Sequence, residues 1–376
     1  MYFLNGDRVY IKPGKVCGTF EEELQNCLLQ IKNINSGKKI FKLNFFIDAS
    51  SKEEYICFQQ IIHRDVYSFF SDEILLSVLA QPPLIDKLIV EACFYDTQFW
   101  ETSFISKGEN GAVLFRQHES QILIGNVQSY ESERCRLNSE KAFSRLTEIF
   151  DSVYFEINSI VRQWNYIENI LGFDGNEQRY QEFNNVRSAV YGDSFKVKGY
   201  PAATGIGMNQ GGTIIEFIAI RSDRLITSAI DNPEQVSAHL YSKKVLIGDE
   251  YELKTTPKFE RARFIELFGK KIIFISGTAA IRGEQTVGID NPSEQTEVTI
   301  NNIQQLYSKE ILDKISIEKM LPKYGHARIY VKDNKDFEAI KKTFRTHFGN
   351  LPVVYIVADI CRPDLLVEIE GKVILE

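Results

Sequence analysis

The sequence predicts an α+β protein. Two βαβα lobes, each a mixed sheet packed against helices, follow an N-terminal extension of unassigned fold. Three observations predict it. Past residue 108, β-type and helix-type runs follow one another as two strands, helix, strand, helix, strand. The second half repeats that order. A chain of 376 residues is also too long for one small core. The divisions expected are 1–107 for the extension, 108–230 for the first lobe and 231–376 for the second.

In the extension, Phe41–Asp48 is β-rich, Ser50 and Ser51 before Glu53 and Glu54 start a helix, and Lys87–Phe94 is an apolar strand. Ala112–Arg116 and Ile122–Gly125 then form a hairpin. A helix from about Ser139 carries Phe143, Leu146, Ile149 and Phe150 on one side. The strand Ile160–Ile167, a helix Asn176–Tyr191 capped by Asn176, and the strand Thr213–Ile220 complete the first lobe. In the second, Phe259–Leu267 and Lys271–Ser276 are strands, and Asn291-Pro292 opens a helix with a cap and a proline at its first position. Arg328–Lys332 is a strand, a helix from Asp336 closes at Gly349, and two strands end the chain.

Hydrophobic content of 44% and charged content of 25% are those of a globular protein. A net charge of −7 argues against a nucleic-acid partner, which wants a basic face. No apolar run approaches a membrane span, and the first residues do not read as a signal peptide. Six cysteines lie far apart with no C-x-x-C pair, as free thiols in a reducing cytoplasm do. The five histidines are equally scattered, so no metal site is expected.

Three stretches invite a chemical reading. In Leu365–Glu370 side chains alternate, so Glu368 and Glu370 share one face. On spacing alone they are two carboxylates on the wet face of an edge strand, and Cys361 is an ordinary buried thiol. Facing an enclosed cleft instead, Glu368 would keep its proton near neutral pH and serve as an acid. The run Thr204–Gly212 lacks the spacing and the flanking elements of a dinucleotide fingerprint. It is a glycine turn, or else a nest of backbone N–H groups for a carboxylate. Ser276–Ala279 ends a buried strand in small residues, which admit either a ligand or a packed neighbour, and no G-x-S-x-G supports a hydrolase serine.

The stretches "ADICRPDLLVEIEG" (358–371), "YPAATGIG" (200–207) and "SGTAAI" (276–281) together resemble the chorismatase family. With them go "VRQWNYIENI" (161–170), "EQRYQEF" (177–183), "DNPEQVSAHLY" (231–241) and "FERA" (259–262), so the resemblance runs from about Gly108 to the C-terminus. It implies YjgF/Rid-like lobes and an enzyme that removes pyruvate from chorismate, without metal or organic cofactor. Carried over by position, Glu368 matches the catalytic acid and Cys361 the cysteine beside the substrate ring. Tyr200, Thr204, Gly205, Thr278 and Ala279 match pocket positions, and Arg179 and Arg261 lie in motifs where carboxylate partners are sought. Ala279 leans towards the hydrolytic members of the family, where glycine would lean towards 3-hydroxybenzoate. Three departures stand out: Glu284 where the family usually shows histidine, "GMNQGG" after "TGI", and a long, unfamiliar N-terminal part. The partner implied is a small molecule, with no nucleic acid and no membrane, in a monomer or a homotrimer. Two other readings remain at this level: a Rid-type deaminase of enamines or imines, with Glu368 activating water, and a metabolite-binding protein of the same fold without turnover.

Overall fold

A computed structural model describes residues 3–14, 18–34, 37–70, 73–106, 108–242, 254–317 and 320–376. Its elements fall into three sheets with helices. The first lobe holds β1 (Arg8–Ile11), α1 (Phe20–Lys32), β2 (Lys39–Ile47), α2 (Lys52–Phe69), β3 (Leu75–Leu79) and β4 (Leu88–Tyr95). The second holds β5 (Glu101–Ile105), β6 (Gly111–Gln117), β7 (Ser120–Ser129), α3 (Cys135–Ser152) and β8 (Ile160–Glu168). It continues with the short pair β9 (Phe173–Asp174) and β10 (Glu177–Gln178), then α4 (Arg179–Tyr191), β11 (Ala202–Met208) and β12 (Thr213–Arg221). The third holds β13 (Ile226–Ile230), β14 (Ala262–Leu267), β15 (Lys270–Ala279), and the short pair β16 (Ile281–Arg282) and β17 (Gln285–Thr286). It ends with α5 (Pro292–Gln305), α6 (Lys309–Lys314), β18 (Pro322–Val331), α7 (Phe337–Phe348), β19 (Val353–Val357) and β20 (Val367–Leu375).

Local chemistry accounts for the helix starts. Thr19 and Glu22 form a reciprocal capping box on α1. The Ser51 side chain accepts from Glu54 N on α2, and that of Asn291 from Glu294 N on α5, with Pro292 at the first position. Gly349 closes α7 at φ +59°. The helix expected from Asn176 starts three residues later. Phe173–Asp174 and Glu177–Gln178 pair as a tight hairpin around Gly175 (φ +73°), which takes Asn176 out of the capping position.

The six-stranded second and third sheets have the same order, β11-β8-β12-β7-β6-β5 and β19-β18-β20-β15-β14-β13. In each, only the outer pair β11/β8 or β19/β18 is parallel. β5 and β13 lie ahead of the expected divisions at 108 and 231, and residue 107 is outside the described residues. The segment left unassigned repeats the theme, because its sheet β3-β2-β4-β1 has the same parallel pair β2/β3 and the same central antiparallel strand. It is a lobe of the same kind that lacks the last two strands at one edge.

Each sheet carries its helices on one face, over a core of its own. The other faces meet in one shared core that includes Phe41, Phe115, Trp164, Tyr166, Phe274 and Tyr330. Buried ion pairs tie this interior together in a cycle. Arg328 of the third lobe reaches Glu91 of the first (2.8 Å). Lys42 of the first reaches Glu216 of the second (3.0 Å), and Arg162 of the second reaches Glu370 of the third. The three carboxylates hold matching places, each on the central strand opposite Asn44, Trp164 or Arg328. No helix among the described residues is long and apolar enough to cross a membrane.

Candidate active site

The second and third lobes meet where β11 runs beside β15, joined by bridges Ala202–Glu260 and Ile206–Ile360. A cleft of about 740 Å³ opens there. Its floor is Glu368 and Ala279, directly opposite each other on β20 and β15, with Gly205 and Gly277 at the sides. Cys361 and Arg362 enter from the β19–β20 connection, Tyr180 and Asn184 from α4, and Tyr241, Phe259 and Arg261 from the segment before β14.

β20 is a central strand with β15 on one side and β18 on the other. The edge-strand reading therefore fails, since Glu368 is 4% exposed and Glu370 3%. Alternation puts both on one face, but their surroundings differ. Glu370 is held by Arg162, by the Thr204 hydroxyl, by Trp164 Nε1 (2.9 Å), by Tyr330 (3.2 Å) and by Arg328 (3.4 Å). Glu368 has no comparable clamp among the described residues. Burial first, and the charge of Glu370 second, push it up to about 8, against the pull of Arg162 and Arg261. The acid is thus protonated at neutral pH. Burial, and then Glu368, push the Cys361 thiol up to about 12, so it faces the cleft as a neutral group.

Gly277 makes room for the acid: a Cβ there would lie 2.0 Å from Glu368 Oε1. Gly205 does the same for Tyr180, whose ring would be 3.0 Å from an added Cβ. Two guanidinium groups flank the Tyr241 ring, Arg261 at 5.5 Å and Arg362 at 5.4 Å from its centroid. Arg261 donates to Val236 O (2.7 Å) and Tyr241 Oη (2.6 Å), while its buried Nε has no hydrogen-bond partner among the described residues. Arg362 donates to Glu284 O (2.8 Å), and the Glu284 carboxylate accepts from Ser242 N and Oγ. Glu284 thereby fixes the rim behind Arg362.

Of the residues singled out in the sequence, Glu368, Cys361, Gly205, Arg261 and Ala279 line the cleft. Thr204 lies one layer behind, bound to Glu370, Arg162 (2.7 Å) and Gly277 N (3.0 Å). Thr278 is buried, its hydroxyl donating to Ser276 O (2.9 Å), and Tyr200 packs outside beside Tyr191 and Phe195. Arg179 is also elsewhere: its guanidinium is taken up by Asp174 (2.9 Å) and by the carbonyls of Glu168 and Glu133. The nest reading of Thr204–Gly212 does not hold for Thr204–Gly207, because these residues belong to strand β11 and Gly207 N donates to Asp359 O (2.8 Å). The turn reading holds further on, at Gly211 and Gly212, both at positive φ. Tyr180, Asn184 and Arg362 were missed, although all but Asn184 sit inside motifs already singled out. Cys27, Cys57, Cys93, Cys135 and Cys361 are free thiols, and Cys17 lies outside the described residues. Among the described residues no three His, Cys, Asp or Glu side chains converge as metal ligands do.

Comparison with known proteins identifies the family. A 3-hydroxybenzoate synthase of Streptomyces hygroscopicus is 32% identical over 288 residues, covering 73% of this chain and 81% of its own. The chain belongs to the chorismatase family. The family's profile described as chorismatase FkbO/Hyg5-like, N-terminal, matches residues 98–219. A chorismatase of Streptomyces rapamycinicus is 31% identical, covering 60% of this chain and 68% of its own. A solved chorismatase structure superposes with a TM-score of 0.73 over 98% of both chains at 22% identity, a likeness of fold that includes the first lobe. Among the described residues, a carboxyl at the place of Glu368 is found at one lobe junction alone. The positions matching Glu368 on the other two central strands, two residues before Glu91 and Glu216, are Ile89 and Ile214.

Proposed function

We propose that this protein cleaves the enolpyruvyl ether of chorismate and releases pyruvate, with Glu368 as the acid. The observation that carries the reading is a buried carboxyl, pushed up to about 8, facing a cleft lined by two arginines in a chain of the chorismatase family. Chorismate brings two carboxylates, and Arg261 and Arg362 offer planar donors for them. Tyr180, Phe259 and Ile281 give the ring an apolar wall, with Cys361 as a neutral neighbour.

In the reaction, Glu368 gives its proton to the terminal methylene of the enol ether, and the double-bond electrons form the new C–H bond. The cation left at the ether carbon takes a water molecule, whose proton returns to the Glu368 carboxylate. The resulting hemiketal expels the ring oxygen as an alcohol, leaving pyruvate and a dihydroxycyclohexadiene carboxylate. If the neighbouring ring hydroxyl displaces the side chain instead, the ring aromatises to a hydroxybenzoate. Ala279 stands opposite Glu368 and supplies a methyl where glycine would leave space, and we assign it to the hydrolytic outcome.

A coupled assay for pyruvate, with the ring product identified by mass, tests this. Wild-type protein is expected to release pyruvate and the diol acid, and Ala279→Gly to raise the share of hydroxybenzoate. Folded wild-type protein that releases no pyruvate would overturn the reading. An unchanged product ratio in Ala279→Gly would overturn the part given to Ala279.

A further inference from the structure

The second carboxylate on the face of β20 has a place in this chemistry although it does not line the cleft. Glu370 lies behind Glu368, where Arg162 donates both to it and to Thr204 Oγ1 (2.7 Å). Thr204 in turn donates to Glu370 and accepts from Gly277 N (3.0 Å). Gly277 is the residue against which Glu368 Oε1 rests, and an added Cβ there would also be 3.2 Å from Thr204 Cγ2. One glycine and one threonine thus separate the acid from the Arg162–Glu370 pair. Arg162 is 1% exposed, and its Nη1 has no hydrogen-bond partner among the described residues. Its charge has little water to screen it, so what it faces decides its effect.

We propose that Glu370 is a positioning residue for the reaction: by holding the Arg162 guanidinium on itself, it prevents that charge from ionising Glu368, so the acid meets its substrate with a proton to give. This rests on Glu368 being the acid of the proposed function.

The charges around the two carboxyls can be followed element by element. Glu368 faces Glu370 on its own strand, Arg162 on β8, Arg261 before β14, Tyr180 on α4, and Cys361 and Arg362 on the β19–β20 connection. Glu370 faces Arg162 on β8, with Arg328 and Tyr330 on β18. Tyr166 on β8, Tyr324 on β18 and Tyr10 on β1 also feel its charge, and burial keeps all four of these tyrosines neutral. Arg328 is shared with Glu91, which it grips through two nitrogens (2.8 and 3.0 Å). Arg162 is therefore the cation whose balance depends on Glu370, and a neutral residue at 370 would leave it acting on Glu368.

The test compares Glu370→Gln with Arg162→Met, two changes that act on Glu368 in opposite directions. The readout without substrate is the infrared carboxylic-acid band of Glu368, identified by its absence in Glu368→Gln and followed against pH. Glu370→Gln is expected to move the titration down by about one pH unit or more, and Arg162→Met to move it up. In turnover, Glu370→Gln is expected to lose about fivefold or more at pH 8 and to recover towards wild type near pH 5.5. A merely structural role would lower turnover evenly at all pH with the band's midpoint unmoved, and that result overturns the proposal. Should Glu370→Gln fail to fold, Arg162→Met decides alone: an upward shift supports the proposal and an unmoved midpoint overturns it. Because the band is read without substrate, its failure is distinct from a failure to cleave chorismate.

Discussion

At position 368 a carboxyl keeps its proton to about pH 8 because it is buried, and because the charge of a second carboxylate lies beside it. The same fact sets the pH dependence of the reaction. If Glu368 is the acid it must be protonated to act, so kcat/KM is expected to fall as pH rises through about 8, and a kcat/KM–pH profile checks it. It also sets a cost in stability. The unfolded chain releases this proton near 4.5 and the folded chain near 8, so between those values the unfolded state binds fewer protons and stability falls as pH rises. Over that span the loss is on the order of 5 kcal/mol. Glu368→Gln escapes it, and is expected to melt above wild type at pH 8–9, with the gain shrinking towards pH 5 in thermal scans. Glu368 and Cys361 were legible through their motif. Arg179 and Arg362 show where that route stops: both lie in motif stretches, but only the fold tells which guanidinium is consumed by Asp174 and which reaches the cleft.

At the scale of elements, the alternation along β20 was legible and its consequence was not. Period two says that Glu368 and Glu370 share a face, but whether that face is wet depends on strands from elsewhere in the chain. Here β15 and β18 flank β20, and the face turns into the shared core. Likewise Thr204–Gly212 reads as a turn by composition, yet the parallel pairing of Thr204–Met208 with β8 makes its first part a strand, an instance of tertiary context overriding local preference. β15 carries the element-level prediction. Gly277→Ala would place a methyl 2.0 Å from Glu368 Oε1. It is expected to displace the acid and cut kcat by about a hundredfold or more, with the circular-dichroism spectrum unchanged. Steady-state kinetics beside the spectrum would check it.

Across the whole molecule, three sheets of one strand order enclose a single core and are tied by the cycle Arg328–Glu91, Lys42–Glu216 and Arg162–Glu370. The two later lobes were legible from element order. The first was not, because it lacks two of the six strands and its two ion pairs in the cycle join residues more than a hundred positions apart. The cycle predicts that Arg328→Met, which leaves Glu91 and Glu370 short of a buried partner, costs about 3–5 kcal/mol in urea unfolding. A loss near zero would deny that these pairs tie the lobes. The most direct test of the central claim is to mix the protein with chorismate in D2O at pH 7 and follow the product by proton NMR, beside Glu368→Gln. The account predicts pyruvate bearing one deuterium on its methyl group, formed by the wild type and not by the variant. Pyruvate formed equally by both, or by neither from folded protein, would contradict it.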